Sequence, residues 1–350
     1  MHEVHLIPVR NYNERIPGVI YHNLEGKFKS IPILWIIEKI IKARRLIKKL
    51  LPDIIHGHYI SGGGILSYLC GFKPLVVTAW GSDINSYSEY SFIKKILIRR
   101  TVQNANLITV VSNDLKNRVI KLGASRENIY IIQFGIDTKI FHPGYEVNAL
   151  KKKLKIKDNE KTIFSPRMIQ SMYNIDNIIK AFKLLQRDFG NLRLILKSYL
   201  EKDQDKGYIK YIKKLVKELG IKDRTIFIGQ VEYSTMPKIY NLSDVVVSIP
   251  NNDGAPLSVL EGMACGCNIV ASNIPALQEW IKDDWNGYLV NVKDIEDISQ
   301  KIKKSLLIKS DEREGIINRN ISIIREKADY FLNMKKMERL YYRVVEKNIK

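Results

Sequence analysis

Two carboxylates in the second half of the chain have the spacing to bind one anionic ligand. Asp253 and Glu261 lie eight positions apart in the segment DGAPLSVLEGMACG, which follows an apolar run ending at Ile249. A loop between a parallel strand and the N-terminus of a helix commonly binds anions. The pattern predicts Asp253 on that loop and Glu261 about two turns into the helix, directed toward the same ligand. The alternative for Asp253 is a side chain that only caps the helix.

A second group of polar residues lies in the first half of the chain. His56 and His58 flank Gly57 at the end of a predicted strand and precede the flexible segment SGGG at 61–64. Histidines at i and i+2 on their own make a poor metal site, so a loop that lines a cleft is the preferred interpretation over a metal pair. The glycines allow a close approach of the backbone to a ligand.

Short β-branched runs alternate with longer stretches of helical period, a pattern typical of βαβ units and parallel sheets. The predicted strands are Val4–Ile7, Ile54–His56, Leu75–Thr78, Leu107–Val111, Ile129–Ile132, Thr162–Phe164, Leu192–Leu196, Thr225–Ile228, Val245–Ile249, Asn268–Ala271 and Tyr288–Val290. Apolar residues at helical spacing predict an amphipathic helix over 33–50 and a terminal helix over 330–345. The class predicted is α/β.

The chain length of 350 residues provides material for two compact domains. The polar, Lys-rich stretch from Gly144 to Glu160 is the predicted linker and contains a short helix. We therefore predict domains at 1–145 and 146–328, and a C-terminal helix at 329–350 that packs back on the first domain. The chain opens on residues that already resemble a strand, so the first strand of a doubly wound sheet is in doubt.

Composition narrows the class of protein. With 45% hydrophobic and 27% charged residues the chain is expected to be folded. Its net charge of +20 is compatible with a nucleic acid, an anionic membrane or a phosphorylated substrate as binding partner. A Lys-rich compositional habit explains that charge equally well. No apolar run near the N-terminus approaches the ~20 residues of a spanning helix, so neither signal peptide nor transmembrane helix is predicted. Cys70, Cys265 and Cys267 suit a reducing cytoplasm.

The carboxylate segment resembles the E-x7-E motif of the large retaining glycosyltransferase family with the GT-B fold (glycosyltransferase family 4, glycosyl transferases group 1), with Asp253 in place of the first Glu. Other segments that resemble this family are Trp80–Asp83, Phe134–Asp137, Cys265–Ser272 and Asn286–Val290. The similarity extends from about Asp53 to the C-terminus. It implies two Rossmann-like doubly wound domains that face each other across a cleft, the first for the acceptor and the second for the nucleotide sugar.

The resemblance implies a role for each matching residue. Glu261 corresponds to the carboxylate that binds the ribose hydroxyls, Asp253 to the one beside the transferred sugar, and Arg167 to the arginine that binds the diphosphate. Asp253 and Arg167 are thus the expected catalytic residues, with a solvated surface arginine as the alternative for Arg167. The other donor-binding candidates are Gly254, Ala255, Pro256, Leu257, Ser258, Lys197, Gln230, Val231 and Tyr173, of which Gln230 and Val231 correspond to the loop under the base.

Two positions depart from the family pattern. Tyr173 and Asn174 stand where the family has a second phosphate-binding lysine, and a phenol carries no positive charge. Neutralisation is then expected from Arg167, from backbone N–H groups at the next helix start, or from Lys197, whose alternative is a solvated side chain.

The second departure is Trp80, which stands where many relatives have a histidine. An indole can stack on a sugar but cannot move a proton, so a general base in the first domain is in doubt. The candidates for acceptor contact or cleft lining are Trp80, Asp83, His58, Gly62 and Gly63.

Two basic helices in the first domain suggest a peripheral membrane contact. Their segments are Lys42–Lys49 and Phe92–Arg100, accompanied by Trp35, Tyr87 and Tyr90. Such helices bind anionic membrane surfaces, each nearby cation contributing ~1 kcal/mol. A solvated helix face is the equal alternative.

By resemblance, the chain is a retaining hexosyltransferase that uses a UDP- or GDP-sugar donor and a glycan or lipid-linked acceptor, in cell-surface polysaccharide or glycolipid synthesis. No cofactor or metal is expected, the leaving phosphate takes the acceptor proton, and the location is cytoplasmic or at the inner membrane surface. One rival is a non-catalytic protein that binds nucleic acid or membranes on a degenerate transferase scaffold, although aromatic-basic RNA motifs are absent. The other is a phosphorylase or epimerase of the same fold.

Overall fold

The computed structural model describes residues 2–8, 15–24, 26, 32–198 and 205–349. The chain forms two compact units. The N-terminal unit consists of Met1–Ile132 with Lys336–Lys350, and the central unit of Gln133–Lys335. None of the helices within the described ranges is long and apolar enough to cross a membrane.

The boundary between the two units lies at 132–133, whereas the boundary predicted from the sequence lies at 145–146. The reason is that residues 133–145 hydrogen-bond to the central unit. The Ile136 N–H donates to the Ala328 carbonyl oxygen at 2.7 Å, and the Gly144 N–H donates to Asn241 Oδ1 at 2.9 Å.

The N-terminal unit contains a four-stranded parallel sheet and a separate two-stranded parallel pair. Its strands are β1 (Val4–Leu6), β2 (Val19–Tyr21), β3 (Ile55–His58), β4 (Leu75–Ala79), β5 (Leu107–Val110) and β6 (Ile129–Ile131). The four-stranded sheet has the order β3-β4-β5-β6, and β1 pairs with β2. Helices of this unit are α1 (Pro32–Leu50), α2 (Ile65–Cys70), α3 (Ser82–Asn85), α4 (Phe92–Asn104) and α5 (Asn113–Lys121).

The central unit contains a six-stranded parallel sheet. Its strands are β7 (Lys161–Ser165), β8 (Leu192–Lys197), β9 (Thr225–Ile228), β10 (Val245–Ser248), β11 (Asn268–Ser272) and β12 (Tyr288–Val290). Its helices are α6 (Asn148–Leu154), α7 (Ile175–Leu185), α8 (Lys206–Glu218), α9 (Met236–Leu242), α10 (Leu257–Ala264), α11 (Pro275–Gln278), α12 (Ile295–Leu307) and α13 (Ser310–Lys327). All strands are parallel, in the order β12-β11-β10-β7-β8-β9. Successive strands are added on one side from β7 to β9 and on the other side from β10 to β12, so the order of addition switches sides between β7 and β10.

Helices cover both faces of this sheet, because successive strand side chains point to opposite faces. Ile163 and Val245 belong to one apolar core, whereas the next residue in each strand, Phe164 and Val246, belongs to the other. Both faces of the sheet therefore carry apolar side chains, as expected for a parallel sheet buried on both sides. Ligands of such sheets bind beyond the carboxyl ends of the strands where the order reverses, which here is the β7–β10 boundary.

The last helix, α14 (Tyr330–Ile349), begins in the central unit and ends in the N-terminal unit. At its start Gly135 has a φ of +83°, and a Cβ there would meet the Tyr330 Cα at 2.5 Å, so only glycine fits. Farther along, Met337, Leu340 and Val344 pack in one core cluster with residues of β4 and β5.

The α/β class predicted from the sequence is confirmed. Each predicted strand is present with small changes in its ends, and β2 was missed. Its three residues are too few to show an alternating pattern, and Ile20 is exposed.

Candidate functional site

Arg167 and Asp253 form an ion pair at the carboxyl edge of the central sheet. Arg167 follows β7, and Asp253 lies in the loop after the neighbouring strand β10. The Arg167 Nη2 donates to Asp253 Oδ2, and its Nε donates to Ser248 Oγ at 3.0 Å. Asp253 Oδ1 accepts the Gly254 N–H at 2.8 Å. The guanidinium is thus positioned by side chains of its own unit, with its charge balanced by a carboxylate.

Tyr173 lies against the same guanidinium. The Arg167 Cζ is 5.1 Å from the centre of the Tyr173 ring, a cation–π distance. The neighbouring Asn174 donates through Nδ2 to the Ile249 carbonyl oxygen at 2.8 Å and so joins the loops after β7 and β10. The ring of Tyr173 therefore supports Arg167, and the expected part of Tyr173 in donor binding stays a prediction.

Glu261 projects from α10 and is bound by a buried tyrosine. The helix begins at Leu257, so Glu261 lies about one turn inside it, not two as predicted, because residues 254–256 remain in the loop. The hydroxyl of Tyr240 donates to Glu261 Oε2 at 2.7 Å and lies 3.0 Å from the Ser258 carbonyl oxygen. Tyr240 is completely buried, so this contact fixes the direction of the carboxylate.

The electrostatics show which charges surround Glu261. Burial raises the pKa of Glu261 above its usual range, while the Tyr240 hydrogen bond and the positive charges of Lys197 and Arg167 partly oppose that rise. Lys197 is the last residue of β8, the strand beside β7. The structure therefore brings together Arg167, Asp253, Glu261 and Lys197, four residues that we call the donor edge.

Two tyrosines of the donor region were missed by sequence reasoning. Tyr240 lies on α9, and Tyr233 lies in the turn that precedes this helix. Burial, with the negative charges of Glu261 and Asp137, raises the pKa of Tyr233 to about 12, although its ring is 58% exposed. Their separation by seven residues is a weak signal of a shared helix face, and it does not show that either hydroxyl lies near Glu261.

The other donor candidates follow the carboxyl ends of β9 and β10. Gln230 is exposed, whereas Val231 is partly buried and packs against the core. Since strands are spaced about 4.8 Å apart, β9 lies roughly 10 Å from β7. Along the loop that leads into α10, Gly254 and Pro256 are buried, and Ala255 and Leu257 half-buried. The Ser258 Oγ is buried without a hydrogen-bond partner among the residues that the structure describes.

In the N-terminal unit, His58 ends β3 and is followed by a strained turn. Tyr59 has a φ of +63°, which is unfavourable for a residue with a side chain, and residues 59–64 form a π-helical turn. A Cβ on Gly63 would lie 2.4 Å from the His58 carbonyl oxygen, whereas one on Gly62 would meet only the Tyr59 ring at 3.6 Å. Close packing therefore requires glycine at 63, and Gly62 has room beside it.

Asp83 positions this turn. It is fully buried, and its carboxylate accepts backbone N–H groups from Ile60 at 2.7 Å, Trp80 at 3.0 Å and Gly81 at 2.9 Å. Burial raises the pKa of Asp83, although these hydrogen bonds oppose the rise. Its carboxylate thus holds the backbone that carries His58 and Trp80, and the predicted acceptor contact or cleft lining by Asp83 stays a prediction.

Trp80 follows β4, the strand beside β3, and its side chain is 45% exposed. Its ring and the His58 ring are perpendicular, with centroids 5.9 Å apart. We call these two residues the His58–Trp80 corner. No group of three metal-ligating side chains occurs at the corner, at the donor edge or elsewhere in the described ranges.

Comparison with known families places the chain among transferases. Residues 146–322 match the family described as Glycosyl transferases group 1, and residues 1–112 match the one described as Glycosyl transferase 4-like. The chain belongs to the glycosyl transferases group 1 family. The resemblance recognised in the sequence motifs is therefore confirmed.

Two relatives of this group 1 glycosyltransferase are synthases. The N-acetyl-alpha-D-glucosaminyl L-malate synthase of Bacillus anthracis is 25% identical, over 84% of this chain and 77% of the relative. The alpha-monoglucosyldiacylglycerol synthase of Streptococcus pneumoniae is 23% identical, over 80% of this chain and 65% of the relative. These two relatives are thus named for different products.

Solved structures show the fold. The crystal structure of Anabaena HepE in complex with UDP and glucose has a TM-score of 0.78 and 17% identity, covering 93% of this chain and 86% of HepE. The group 1 glycosyltransferase therefore has the GT-B fold, as the sequence motifs implied. The individual site residues stay predictions.

Proposed function

We propose that this group 1 glycosyltransferase moves a hexosyl group from a UDP- or GDP-sugar to a hydroxyl of a glycan or lipid-linked acceptor, with retention at the anomeric carbon. The convergence of Arg167, Asp253, Glu261 and Lys197 at one edge of the central sheet supports the proposal. Two cations suit a diphosphate, and two carboxylates suit the hydroxyls of a ribose and a sugar. Binding of UDP and glucose by the structurally similar HepE agrees with this donor class.

Each group of the donor edge has a part in the proposed reaction. Glu261 accepts hydrogen bonds from the ribose hydroxyls, each contributing roughly 1.5–3 kcal/mol when made to a charged carboxylate. Arg167 and Lys197 bind the diphosphate and stabilise the charge that grows on it as the glycosidic bond breaks. The leaving phosphate accepts the proton of the attacking hydroxyl, so that no protein base and no metal ion take part.

In the proposed reaction, the Arg167–Asp253 pair couples binding of the diphosphate to binding of the transferred sugar. Asp253 balances the charge of Arg167. A diphosphate that takes over the guanidinium leaves Asp253 without this partner, and its carboxylate then accepts hydroxyls of the transferred sugar. Diphosphate binding thereby prepares the sugar subsite.

A donor screen tests the assignment. UDP-, GDP- and ADP-sugars are compared by thermal shift with the wild-type protein, with Glu261→Gln, and with Glu218→Gln as a control in an exposed ion pair of the same unit. We expect one nucleotide class to stabilise the wild type and the control but not Glu261→Gln. Equal stabilisation of all three proteins would contradict the role of Glu261. Product analysis with and without acceptor separates transfer from phosphorolysis and epimerisation, and turnover that survives EDTA supports the metal-free reaction.

We also propose that the protein works at the cytoplasmic face of a membrane. The α4 helix begins with Phe92 and Ile93, which are 77% and 71% exposed, and continues with two lysines and two arginines. The α1 helix has a similar exposed apolar and basic composition, and α2 packs against both helices. Exposed apolar side chains beside cations fit an anionic lipid surface.

Sedimentation with vesicles tests this location. We expect the protein to bind phosphatidylglycerol vesicles and to be released by salt, while phosphatidylcholine vesicles bind it weakly. Phe92→Ser with Ile93→Ser is expected to reduce binding without changing the donor thermal shift. Equal binding of both lipids, or unchanged binding by the double variant, would argue against this surface.

A further inference from the structure

We propose that His58 is held as a neutral imidazole with its proton on Nε2, and that the His58–Trp80 corner binds a sugar ring of the acceptor. In this arrangement Nε2–H donates to a hydroxyl oxygen of the ring, and the exposed indole covers its C–H face. The acceptor assignment rests on the proposed function, whereas the protonation of His58 does not.

The backbone at His58 is fixed by contacts on both sides. The turn that follows has the strained Tyr59, whose hydroxyl lies 3.0 Å from Ser82 Oγ. The buried Asp83 joins the Ile60 N–H to the backbone of the Trp80 loop. Since a positive φ costs about 1–2 kcal/mol for a residue with a side chain, the surrounding structure must maintain it. The corner is therefore a constructed feature of the unit.

The hydrogen bond from Trp80 decides the tautomer. The Trp80 Nε1 lies 3.4 Å from His58 Nδ1. An indole nitrogen only donates, so Nδ1 must accept, and a neutral imidazole then carries its single proton on Nε2. A charged imidazole would place a second proton on Nδ1, facing the indole N–H.

His56 lies next to His58 and favours the same neutral state. The two imidazole centroids are 3.9 Å apart. Both nitrogens of His56 are engaged, Nδ1 at 2.6 Å from the Tyr341 hydroxyl and Nε2 at 2.6 Å from Thr78 Oγ1. Burial lowers the pKa of His58, and burial together with the electrostatic repulsion between the two rings lowers the pKa of His56 well below its usual value. A proton on either ring thus opposes a proton on the other.

The chemistry of the corner matches a sugar ring. Nε2–H is a donor for an oxygen, and the Trp80 ring is an exposed aromatic face with an apolar surface. The side chains that build the corner are neutral, so it suits a ligand that combines hydroxyl oxygens with an apolar C–H face. With Nδ1 engaged and Nε2 protonated, His58 orients the acceptor by donating a hydrogen bond and does not remove its proton.

Nuclear magnetic resonance of ¹⁵N-labelled protein tests the tautomer without any substrate. At neutral pH we expect Nε2 of His58 to have the shift of a protonated ring nitrogen and Nδ1 that of an unprotonated one, with His58→Ala providing the assignment. Trp80→Phe removes the indole donor and should restore a mixture of both tautomers. Detection of the Nδ1–H tautomer, or of a charged ring at neutral pH, would overturn the proposal.

Binding of n-octyl β-D-glucopyranoside tests the sugar-ring assignment, with glycerol as the comparison. We expect the glucoside, and not glycerol, to shift the His58 nitrogen signals of the wild type and to lose this effect in Trp80→Ala. Unshifted His58 signals would overturn the assignment. If no nucleotide sugar stabilised the wild type in the thermal-shift screen, the proposed function would be refuted. The result on the His58 tautomer would remain valid.

Kinetics with the glucoside as acceptor separate donation from base catalysis. His58→Ala should raise the acceptor KM roughly 3- to 10-fold, the loss of one neutral hydrogen bond, and leave the donor KM unchanged. His58→Gln keeps an N–H at a similar reach and should recover most of that loss, with the exposed His142→Gln as a control. A His58→Gln variant whose kcat falls as far as that of His58→Ala would show that His58 is a base.

Discussion

The donor edge and the His58–Trp80 corner both lie at carboxyl ends of parallel strands, yet they consist of different kinds of side chain. The donor edge consists of paired charges, Arg167 with Asp253, and of Glu261 bound to a buried hydroxyl. The corner consists of two aromatic rings, His58 and Trp80, joined by a hydrogen bond. The first suits a charged diphosphate and the second a neutral hydroxyl-bearing molecule. The same type of strand end can thus serve either ligand, and the side chains that follow it decide which.

The two regions also differ in how they are held. The donor side chains are oriented by other side chains, such as Ser248 and Tyr240. The corner is oriented by backbone geometry, through the π-helical turn and through the three backbone N–H groups that donate to the Asp83 carboxylate. Changes of charge should therefore affect the donor edge most, whereas changes of backbone fit should affect the corner most.

The largest expected effect comes from removing the guanidinium. Arg167→Met leaves the growing charge on the leaving diphosphate without its main partner, and we expect kcat/KM to fall by about 10²- to 10³-fold. The measurement is steady-state release of the nucleoside diphosphate. Arg118→Met removes an exposed helix arginine of the other unit and should leave the rate unchanged. Similar rates for the two variants would refute the role of Arg167.

The pH dependence of donor affinity gives the next largest effect. Because burial raises the pKa of Glu261, protonation begins at a higher pH than for an ordinary glutamate. Only the carboxylate form accepts two ribose hydroxyls, so we expect donor affinity to fall as the pH is lowered from neutral through the raised pKa of Glu261. Calorimetry measures this change. Glu261→Gln should bind weakly with little dependence on pH, and an equally steep profile in that variant would assign the titration to another group.

A pair of glycine substitutions tests the backbone of the corner. Gly63→Ala places a Cβ at 2.4 Å from the His58 carbonyl oxygen, whereas Gly62→Ala makes an ordinary contact with the Tyr59 ring at 3.6 Å. We expect Gly63→Ala to reduce the free energy of unfolding by about 1–3 kcal/mol and Gly62→Ala to change it little. Urea denaturation measures both. Equal stabilities would mean that the turn adjusts freely and does not fix His58.

The smallest expected effect concerns the support of Glu261. Tyr240→Phe removes a buried hydroxyl from a carboxylate, and we expect a loss of about 1–2 kcal/mol in the free energy of unfolding. The pKa of Glu261 should rise further, since the Tyr240 hydrogen bond now lowers it. Donor affinity should consequently begin to fall at a higher pH than in the wild type. An unchanged pH profile would show that Tyr240 only fills space.

By itself the sequence determined the α/β class and the places of the strands. Runs such as Leu75–Ala79 and Val245–Ser248 consist mostly of apolar and β-branched residues, which local composition reveals. It also determined the family, since the spacing of Asp253 and Glu261 and the surrounding segments are visible in the chain alone.

Only the tertiary structure decided which of these residues touch. Asp253 pairs with Arg167 across 86 positions, and Tyr240 reaches Glu261 from another helix. Asp83 is as polar in sequence as Asp253, yet it is buried and committed to the backbone. Such partnerships depend on strand order and helix packing between distant segments, and residue spacing along the chain carries no record of them.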